Sequence, residues 1–399
     1  TTDVAAFSNS GLQGLSSTQV AALGSAQVRA LSTSQASSLG AVQAAGLSSS
    51  LLSAMESNDL AQLSQAVVTA LSSTAVQSLA TAQVNALSSA QVQAMSGPQM
   101  QALTANQLAG MGALQASSLS AFQARSLTTI SLAAMNTTAV AAMGTSAVAG
   151  LSSAQMGALT TAQLVSLTVN QSAALTAVQT RGLDATQVAV LETRDVASLS
   201  ADALGGLTTT ALQGMQTAQV NSLTQAQFAA LSPTQVEALT PSQMQGLGAS
   251  QAASFSAIQT ARLTSTSLAS LNTTAVAALT TVAVSGLNSS QFAAMTTAQL
   301  VALTVQQSAG LSADELSGLS GTQAAAVQSQ DLRSVTETAL SGLSTSAVQS
   351  LLTSQVNALT ATQVRALGAA QVASLTATQA QNLGTTQAGG FSAAQISQL

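Results

Sequence analysis

Every eighth residue of the chain is apolar, from Phe7 to Leu399, and no insertion or deletion interrupts this register. A second apolar residue usually lies three positions earlier, as Val20 lies before Leu23. The resulting eight-residue repeat, or octad, is approximately [S/T/G]-[S/T]-[A/T/S]-Q-V-x-A-L, and its last residue is called the ruler residue below. Such a repeat has to be interpreted first, because it determines the architecture of the whole chain.

Neither one long helix nor a series of strands fits this period. Eight residues advance about 800° along an α-helix, so the ruler residues would drift by about 80° per octad and never share one face. Strands favour a period of two, whereas the i, i+3 spacing within an octad and the abundance of Ala, Leu and Gln are typical of helix. The octad therefore predicts one short helix of about six residues, with a β-solenoid as the alternative.

A hydroxyl residue at the start of an octad and Gln three residues later form the pattern of a capping box. In this motif the hydroxyl accepts a hydrogen bond from the N3 amide, and the Gln side chain accepts one from the N-cap amide. We predict such boxes at Thr160 with Gln163 and at Thr296 with Gln299.

Proline and glycine positions agree with the same helix boundaries. Pro98, Pro233 and Pro241 fall in the first turns of predicted helices, where proline is tolerated. Glycine often starts an octad, where we expect it to end the preceding helix as its C′ residue. The glycines at this position include Gly24, Gly40, Gly112, Gly144, Gly248, Gly368 and Gly384.

Helices of this length cannot bury their own leucines. Ordering eight residues costs about 8–16 kcal/mol of backbone entropy, whereas burying one Leu and one Val returns about 3–6 kcal/mol. Neighbouring octads must cover both faces, so we predict an all-α solenoid formed by one continuous repeat array over residues 1–399. Its predicted core contains the ruler residues Leu15, Leu23, Leu31, Leu159, Leu167 and Leu303.

A longer repeat, which spans 17 octads, is superimposed on the octads. The phrase TTAQLVSLTVNQSAAL at 160–175 returns as TTAQLVALTVQQSAGL at 296–311. Octads in which Asp replaces the Gln recur at the same interval and are marked by Asp59, Asp195 and Asp331. A carboxylate at N3 still suits the N-terminus of a helix.

Octads without the Gln occur in groups of three. Successive groups start nine and eight octads apart, in alternation. From this mean of 8.5 we predict a superhelix of about 8.5 octads per turn, with one Gln-free face and two turns per 17-octad repeat. Small residues on that face, such as Ala139 and Ala275, suit close contact with another turn, a lumen or another chain. On the other face, the Gln side chains either only cap their helices or also hydrogen-bond from turn to turn.

The composition removes most kinds of active site. The chain lacks His, Cys, Lys, Trp and Tyr, and only 5% of its residues are charged. Without His or Cys, the usual zinc, haem and thiolate sites and the common nucleophile–base pairs are not possible. A net charge of −5 without Lys argues against nucleic-acid binding, and no stretch is apolar enough for membrane insertion. We expect a non-enzyme without cofactor or metal.

Carboxylates remain as candidates for chemistry. The acids that lie close together in the sequence are Asp314 with Glu315, and Asp184, Glu192, Asp195 and Asp202 in three successive octads. Stacked acids can bind Ca²⁺ through oxygen ligands. No aromatic platform or cleft-forming insertion accompanies them, so we interpret them as solvated residues in the first turns of helices.

Three further features have simple structural interpretations. The methionines occupy apolar octad positions and are interpreted as core residues. Dense threonine, as in NTTAVAA at 136–142 and 272–278, is compatible with ice binding, but N-capping explains it more simply. Asn136, Asn272 and Asn288 begin N-x-S/T triplets, which arise easily in this composition.

The phrases LTTAQLVSL, LTATQVRAL and LSSAQVQAM resemble the Leu-Thr-Thr-Ala-Gln octad arrays of large proteobacterial repeat proteins, some of which carry a haem-utilisation label. The resemblance extends over the whole chain. It implies an extracellular or surface-associated structural protein, while the absence of His does not support the haem label.

We predict a structural, non-catalytic subunit of an extracellular filament or surface fibre. The start, TTDVAAF, has no signal-peptide pattern, so we expect a cleaved leader or a longer parent chain. The last octad, FSAAQISQL, is an ordinary one, and uncapped solenoid ends favour head-to-tail polymers of the chain with itself. An adhesin stalk and an ice-binding protein are the alternatives, and glycans on Ser and Thr are possible partners.

Overall fold

The computed structural model describes residues 2–399, with side chains from Val4 onward. These residues form short α-helices joined by tight corners, and no strand occurs among them. The all-α solenoid prediction is therefore confirmed, and the β-solenoid alternative is wrong. The chain comprises two compact units, of which unit 1 ends at Leu207 and unit 2 spans Thr208–Leu399.

Unit 1 contains one helix per octad after a first short helix. Its helices are α1 Thr2–Ala5, α2 Asn9–Gln13, α3 Ser17–Ala21, α4 Ser25–Arg29, α5 Thr33–Ser38, α6 Ala41–Ala44, α7 Ser49–Ala54, α8 Ser57–Leu60, α9 Gln65–Ala70, α10 Ser73–Gln77, α11 Thr81–Ala86, α12 Ser89–Ala94, α13 Gly97–Ala102, α14 Ala105–Ala109, α15 Ala113–Ser117, α16 Ala121–Ser126, α17 Thr129–Ala133, α18 Thr137–Ala142, α19 Thr145–Ala149, α20 Ser153–Ala158, α21 Thr161–Val165, α22 Val169–Ala173, α23 Ala177–Thr180, α24 Ala185–Ala189, α25 Thr193–Ser198 and α26 Ala201–Gly206.

Unit 2 repeats the same arrangement. Its helices are α27 Thr209–Gly214, α28 Thr217–Asn221, α29 Gln225–Ala229, α30 Pro233–Glu237, α31 Pro241–Gln245, α32 Ala249–Ala252, α33 Ala257–Arg262, α34 Ser265–Ala269, α35 Thr273–Ala278, α36 Thr281–Val284, α37 Ser289–Ala294, α38 Thr297–Val301, α39 Val305–Ala309, α40 Ala313–Ser317, α41 Gly321–Ala326, α42 Ser329–Ser334, α43 Glu337–Leu340, α44 Thr345–Ser350, α45 Thr353–Val356, α46 Ala361–Ala366, α47 Ala369–Ala373, α48 Ala377–Gln381, α49 Thr385–Ala388 and α50 Ala393–Ile396.

Each helix begins at an extended N-cap residue and ends near the next ruler residue. In α21 the N-cap Thr160 has φ −71° and ψ 157°, and the Leu167 amide closes the last turn by donating to the Leu164 carbonyl at 3.2 Å. The junction glycines also have extended backbone, and no residue from 2 to 399 has a positive φ. A glycine at C′ would have a left-handed backbone with a positive φ. The expected C′ role is therefore wrong, and these glycines instead start the next helix as N-caps.

The core runs along the inside of each unit and is built from two positions of the octad. In α21 the residue after Gln163, Leu164, and the ruler residue Leu167 are both buried. Fully burying two such side chains contributes about 3–6 kcal/mol per octad. Small residues at the Gln position of Gln-free octads, such as Ala139 and Ala275, are fully buried in this interior.

A solenoid turn contains between three and four helices. Within each unit, the packed pairs are a helix and the third helix further along, such as α15 with α18 and α41 with α44. The Gln side chains reach back to residues 28 to 31 positions earlier, at the end of the fourth preceding helix. The predicted turn of about 8.5 octads is therefore wrong. The predicted Gln-free face is wrong as well, because each group of three Gln-free octads makes up most of one turn.

Some turns approach so closely that only glycine fits between them. A Cβ atom on Gly150 would lie 2.7 Å from the Cα atom and the carbonyl oxygen of Ala121, which belongs to the preceding turn. Real Cβ atoms do not come this close to backbone. Glycine at such a position therefore sets how tightly neighbouring turns stack.

Candidate functional site: the glutamine contacts between turns

The Gln side chain of an ordinary octad first caps its own helix. Gln163 Oε1 accepts a hydrogen bond from the Thr160 amide at 2.8 Å, and Thr160 Oγ1 accepts one from the Gln163 amide at 3.2 Å. The same box joins Thr296 and Gln299, with distances of 2.9 and 3.2 Å. These bonds satisfy amides that have no acceptor within the helix itself.

The other end of the same side chain binds the preceding turn. Gln163 Nε2 donates to the carbonyl oxygens of Leu132 at 3.0 Å, Ala133 at 3.2 Å and Met135 at 2.7 Å. Gln299 Nε2 makes equivalent bonds to the carbonyl oxygens of Leu268 at 2.8 Å and Leu271 at 2.7 Å. Both Gln side chains are buried.

One amide group therefore serves the N-terminus of one helix and the C-terminus of another. The last carbonyls of an α-helix lack intrahelical donors, and an unpaired buried carbonyl costs about 1–3 kcal/mol. Because the helices are so short, most of their backbone lies at one end or the other. Of the two roles that the sequence left open for Gln, the structure contains both, and the partners between turns are main-chain carbonyls.

The predicted core residues lie at the corners of the solenoid. Leu31, Leu159, Leu167 and Leu303 are buried. Leu15 and Leu23 are half-buried, because they belong to the first turn of the described residues and receive packing from one side only.

Octads without Gln use other side chains for the same contact. Ser131 Oγ donates to the Leu103 carbonyl of the preceding turn at 2.7 Å. Asn136, an N-cap residue, accepts from the Ala139 amide at 2.8 Å and donates through Nδ2 to the Met111 carbonyl at 2.9 Å. Asn272 repeats this arrangement with the Leu247 carbonyl at 2.8 Å. The sequence analysis did not predict that these Asn side chains would bind the preceding turn. The only signal for it was the Asn–Thr–Thr phrase that both positions share.

The three marker aspartates occupy the Gln position but make no such contact. Asp59, Asp195 and Asp331 are 3%, 1% and 1% exposed. Both carboxylate oxygens of Asp195 and of Asp331 lack a hydrogen-bond partner among the described residues. The interpretation of Asp195 as a solvated residue in the first turn of a helix is therefore wrong, because this octad position faces the interior.

Burial has an electrostatic consequence for these acids. It raises the pKa of Asp59 and of Asp195, with a further increase from the neighbouring Glu56 and Glu192 respectively. Arg194 opposes the increase in the pKa of Asp195, from which its Nε atom lies 3.9 Å away. Burial alone raises the pKa of Asp331.

Glu315 is a fourth buried acid at the Gln position. Its side chain is 1% exposed, and Oε2 accepts from the Ser312 amide at 2.6 Å, as a Gln would. Its other oxygen, Oε1, is buried without a partner. Burial raises the pKa of Glu315, although the hydrogen bonds from Ser312 act in the opposite direction.

The remaining acids among the described side chains lie at the surface or at helix starts. Asp184 caps α24 by accepting from the Gln187 amide at 2.8 Å. Asp202 and Asp314 each accept from an amide of the preceding turn at 3.2 Å. Among the described residues, no group of three or more acids is arranged to hold a metal ion. Between residues 2 and 399, no helix has the length and apolar character needed to cross a membrane.

Comparison with known proteins agrees with the repeat architecture. No curated protein matches the chain. Residues 1–33, 131–161 and 188–225 match the family model of the ALTTAQ repeat. The name of that repeat includes the Gln of the octad, which in this structure donates to carbonyls of the preceding turn, as Gln163 does. The chain is thus a repeat protein, and three of its segments are similar to the ALTTAQ repeat.

Proposed function

We propose that this chain is a structural, non-catalytic subunit of an extracellular filament or surface fibre that grows by stacking solenoid turns end to end. The observation that carries the proposal is that the two edges of a turn are unlike. One edge presents Gln amide donors, and the other presents main-chain carbonyl acceptors. A second copy of the chain placed on an open edge would therefore make the same contacts as the next turn.

The donor edge is visible in the first turns of unit 1. Gln19 and Gln27 cap their own helices through Oε1, at 2.8 Å from the Ser16 and Gly24 amides. Within residues 2–399, their Nε2 atoms donate no hydrogen bond. The next such residue, Gln35, has an earlier turn beneath it and donates to the Phe7 carbonyl at 2.9 Å.

The acceptor edge is visible in the last turns of unit 2. The ruler carbonyls of Leu343, Leu351 and Leu359 accept from Gln side chains of the following turn. The corresponding carbonyls of Leu375 and Leu383 receive no hydrogen bond within the described part of the chain, and both side chains are only half-buried. Donors on one edge and acceptors on the other favour a head-to-tail contact between copies, and such a contact gives a filament when it does not close into a ring.

Sedimentation velocity and negative-stain electron microscopy over a range of concentrations test the proposal. We expect fibres that lengthen with concentration. We expect the double change Gln19→Ala and Gln27→Ala to reduce association, while Gln65→Ala, at an exposed position away from the edge contacts, leaves it unchanged. A monomer at all concentrations would contradict the filament and would favour a rigid stalk of an adhesin.

Ice binding has less support from the arrangement of hydroxyls. Many of the Thr hydroxyls that would form the array, such as Thr160 Oγ1, already accept from a helix amide. Measurable thermal hysteresis would revive this alternative. Glycans would attach at exposed hydroxyls such as those of Thr145 and Thr209. The Asn136 amide, in contrast, already donates to two carbonyls, so we expect Asn136 to remain unglycosylated.

A further inference from the structure

Glu315 stands where the solenoid requires a hydrogen-bond donor. Glutamate has the same length as glutamine, and its Oε2 atom accepts from the Ser312 amide as a Gln Oε1 does in ordinary octads. Its Oε1 atom therefore occupies the place of a Gln Nε2. In the comparable octad of α37, Gln291 Nε2 donates to the Leu263 carbonyl at 2.7 Å and to the Thr260 carbonyl at 2.9 Å.

The acceptors facing Glu315 are present but have no donor between turns. Leu287 lies 28 residues before Glu315, just as Leu263 lies 28 residues before Gln291. The Leu287 carbonyl receives no hydrogen bond within the described part of the chain. An ionised Glu315 would set a negatively charged oxygen against carbonyl oxygens in a buried site, which is unfavourable. A protonated Glu315 has an O–H group in the same place and can donate to the carbonyl.

Asp331 presents the same requirement with a shorter side chain. Both of its carboxylate oxygens are buried without a partner, and the corresponding ruler carbonyl of the preceding turn, that of Leu303, also lacks a donor within the described residues. Ser131 shows that a short side chain at this octad position reaches the ruler carbonyl, since its hydroxyl donates to Leu103 at 2.7 Å. A protonated Asp331 would act in the same way.

Few charged groups accompany these two acids. On its own helix Glu315 has the exposed Asp314, and α43, which packs against it, carries the exposed Glu337. The other helices around it, α36, α37 and α44, carry no titratable side chain. Asp331 has Arg333 on its own helix, and α46 carries Arg365, while α38, α39 and α45 carry none. No buried cation is therefore available to stabilise either carboxylate.

We propose that Glu315 and Asp331 are neutral acids in the folded solenoid, that each donates a hydrogen bond through its carboxyl O–H group to a main-chain carbonyl of the preceding turn, and that these turns loosen when the two groups ionise. The inference does not depend on filament formation. Burial raises the pKa of both groups from ordinary values of 4.5 and 3.8. Their contribution to stability is therefore complete below those values and is lost as the pH rises through the higher folded-state pKa.

The test compares the full chain with the double variant Glu315→Gln and Asp331→Asn, which places amide donors at both positions. Thermal unfolding midpoints are measured from about pH 4 to pH 9. We expect the original chain to lose stability as the pH rises, with the opening constant increasing about tenfold for each unit by which the folded pKa exceeds the unfolded pKa. The amide variant should match it at low pH and exceed it at high pH.

Two further variants separate this mechanism from a general effect of charge. Asp184→Asn removes an exposed acid from an N-cap position, where Asn caps a helix as well as Asp does, and should keep the pH dependence of the original chain. Glu315→Ala with Asp331→Ala removes the donors without adding amides, and should lower the midpoint at low pH. Infrared spectra recorded just below the pH at which the original chain loses stability should show a protonated-carboxyl band that is weaker in the amide variant, which lacks both carboxyl groups. Parallel pH profiles for the original chain and the amide variant, or no such band, would overturn the proposal.

Discussion

Replacing Gln163 with Ala tests whether one side-chain amide joins successive turns. The change removes the acceptor of the Thr160 amide, which Gln163 Oε1 provides at 2.8 Å. It also removes the donor of the Met135 carbonyl at 2.7 Å, for which the described residues supply no other donor. The Leu132 carbonyl keeps the bond that it accepts from the Met135 amide at 3.1 Å. The Ala133 carbonyl also loses its bond from Gln163 Nε2 at 3.2 Å, but Ala133 is only half-buried and water can replace that donor. The two groups that carry most of the cost are the Thr160 amide and the Met135 carbonyl.

The expected loss of stability follows from these two groups. A buried polar group without a partner costs about 1–3 kcal/mol, so two give about 2–6 kcal/mol. Thr160 is exposed, and water can replace the acceptor of its amide. We therefore expect the lower part of this range, about 2–4 kcal/mol. The effect should be local, because each part of a solenoid contacts only its neighbours.

Native-state hydrogen exchange with residue resolution is the appropriate assay, since a long repeat array need not unfold in one step. In the Ala variant we expect the Thr160 amide to exchange faster, together with the amides of α17 and α21. Gln65→Ala, which alters an exposed Gln of the same unit, should change stability by no more than about 0.5 kcal/mol. If both variants exchanged alike around α21, the glutamine contact would not be what holds the turns together.

Other substitutions probe the spacing of the turns and the substitute donors. Gly150→Ala should destabilise unit 1 by about 1–3 kcal/mol in urea unfolding, because its Cβ atom would clash with Ala121. Gly205→Ala should instead stabilise it by about 0.5–1 kcal/mol, since Gly205 lies within α26 and a Cβ there meets nothing within 4 Å. Equal effects of the two changes would refute the close approach. Asn136→Ala should cost about 1–3 kcal/mol by leaving the Met111 carbonyl without a donor, and unchanged unfolding would show that water replaces the amide.

The local structure was predictable because it depends on neighbouring residues. A hydroxyl at N-cap and a Gln at N3 stabilise the start of a helix wherever they occur, and the Thr160–Gln163 pair is an example. Proline adds an independent constraint, and Pro233 and Pro241 each occupy the first position of a helix. The ruler period then requires that each helix ends before the next ruler residue, which gives one helix per octad.

The contacts between turns were not predictable in the same way. The second role of Gln163 depends on carbonyls 28 to 31 positions away, and no local pattern specifies that distance. The burial of Asp195 and Asp331 follows from the same geometry, because their octad position faces the preceding turn. An acid at N3 normally suggests a solvated helix start, so the pattern alone points to the surface.

The 17-octad repeat acquires a different meaning once the turn length is known. Most hydrogen bonds between turns join residues 25 to 31 positions apart, which is more than three octads and less than four, while Thr180 and Thr260 reach carbonyls 23 positions ahead. Seventeen octads therefore correspond to five turns of about 3.4 octads each, whereas four turns would need more than four octads each and six turns fewer than three. The close-approach glycines support this reading. Gly46, Gly182 and Gly318 recur at the 17-octad interval, and each faces the backbone of a serine in the preceding turn. A residue whose identity depends on contact with the preceding turn meets the same surroundings again only after a whole number of turns. The groups of three Gln-free octads start 8.5 octads apart on average, which corresponds to two and a half turns. Each group fills most of one turn and is followed by about one and a half turns in which most octads have the Gln.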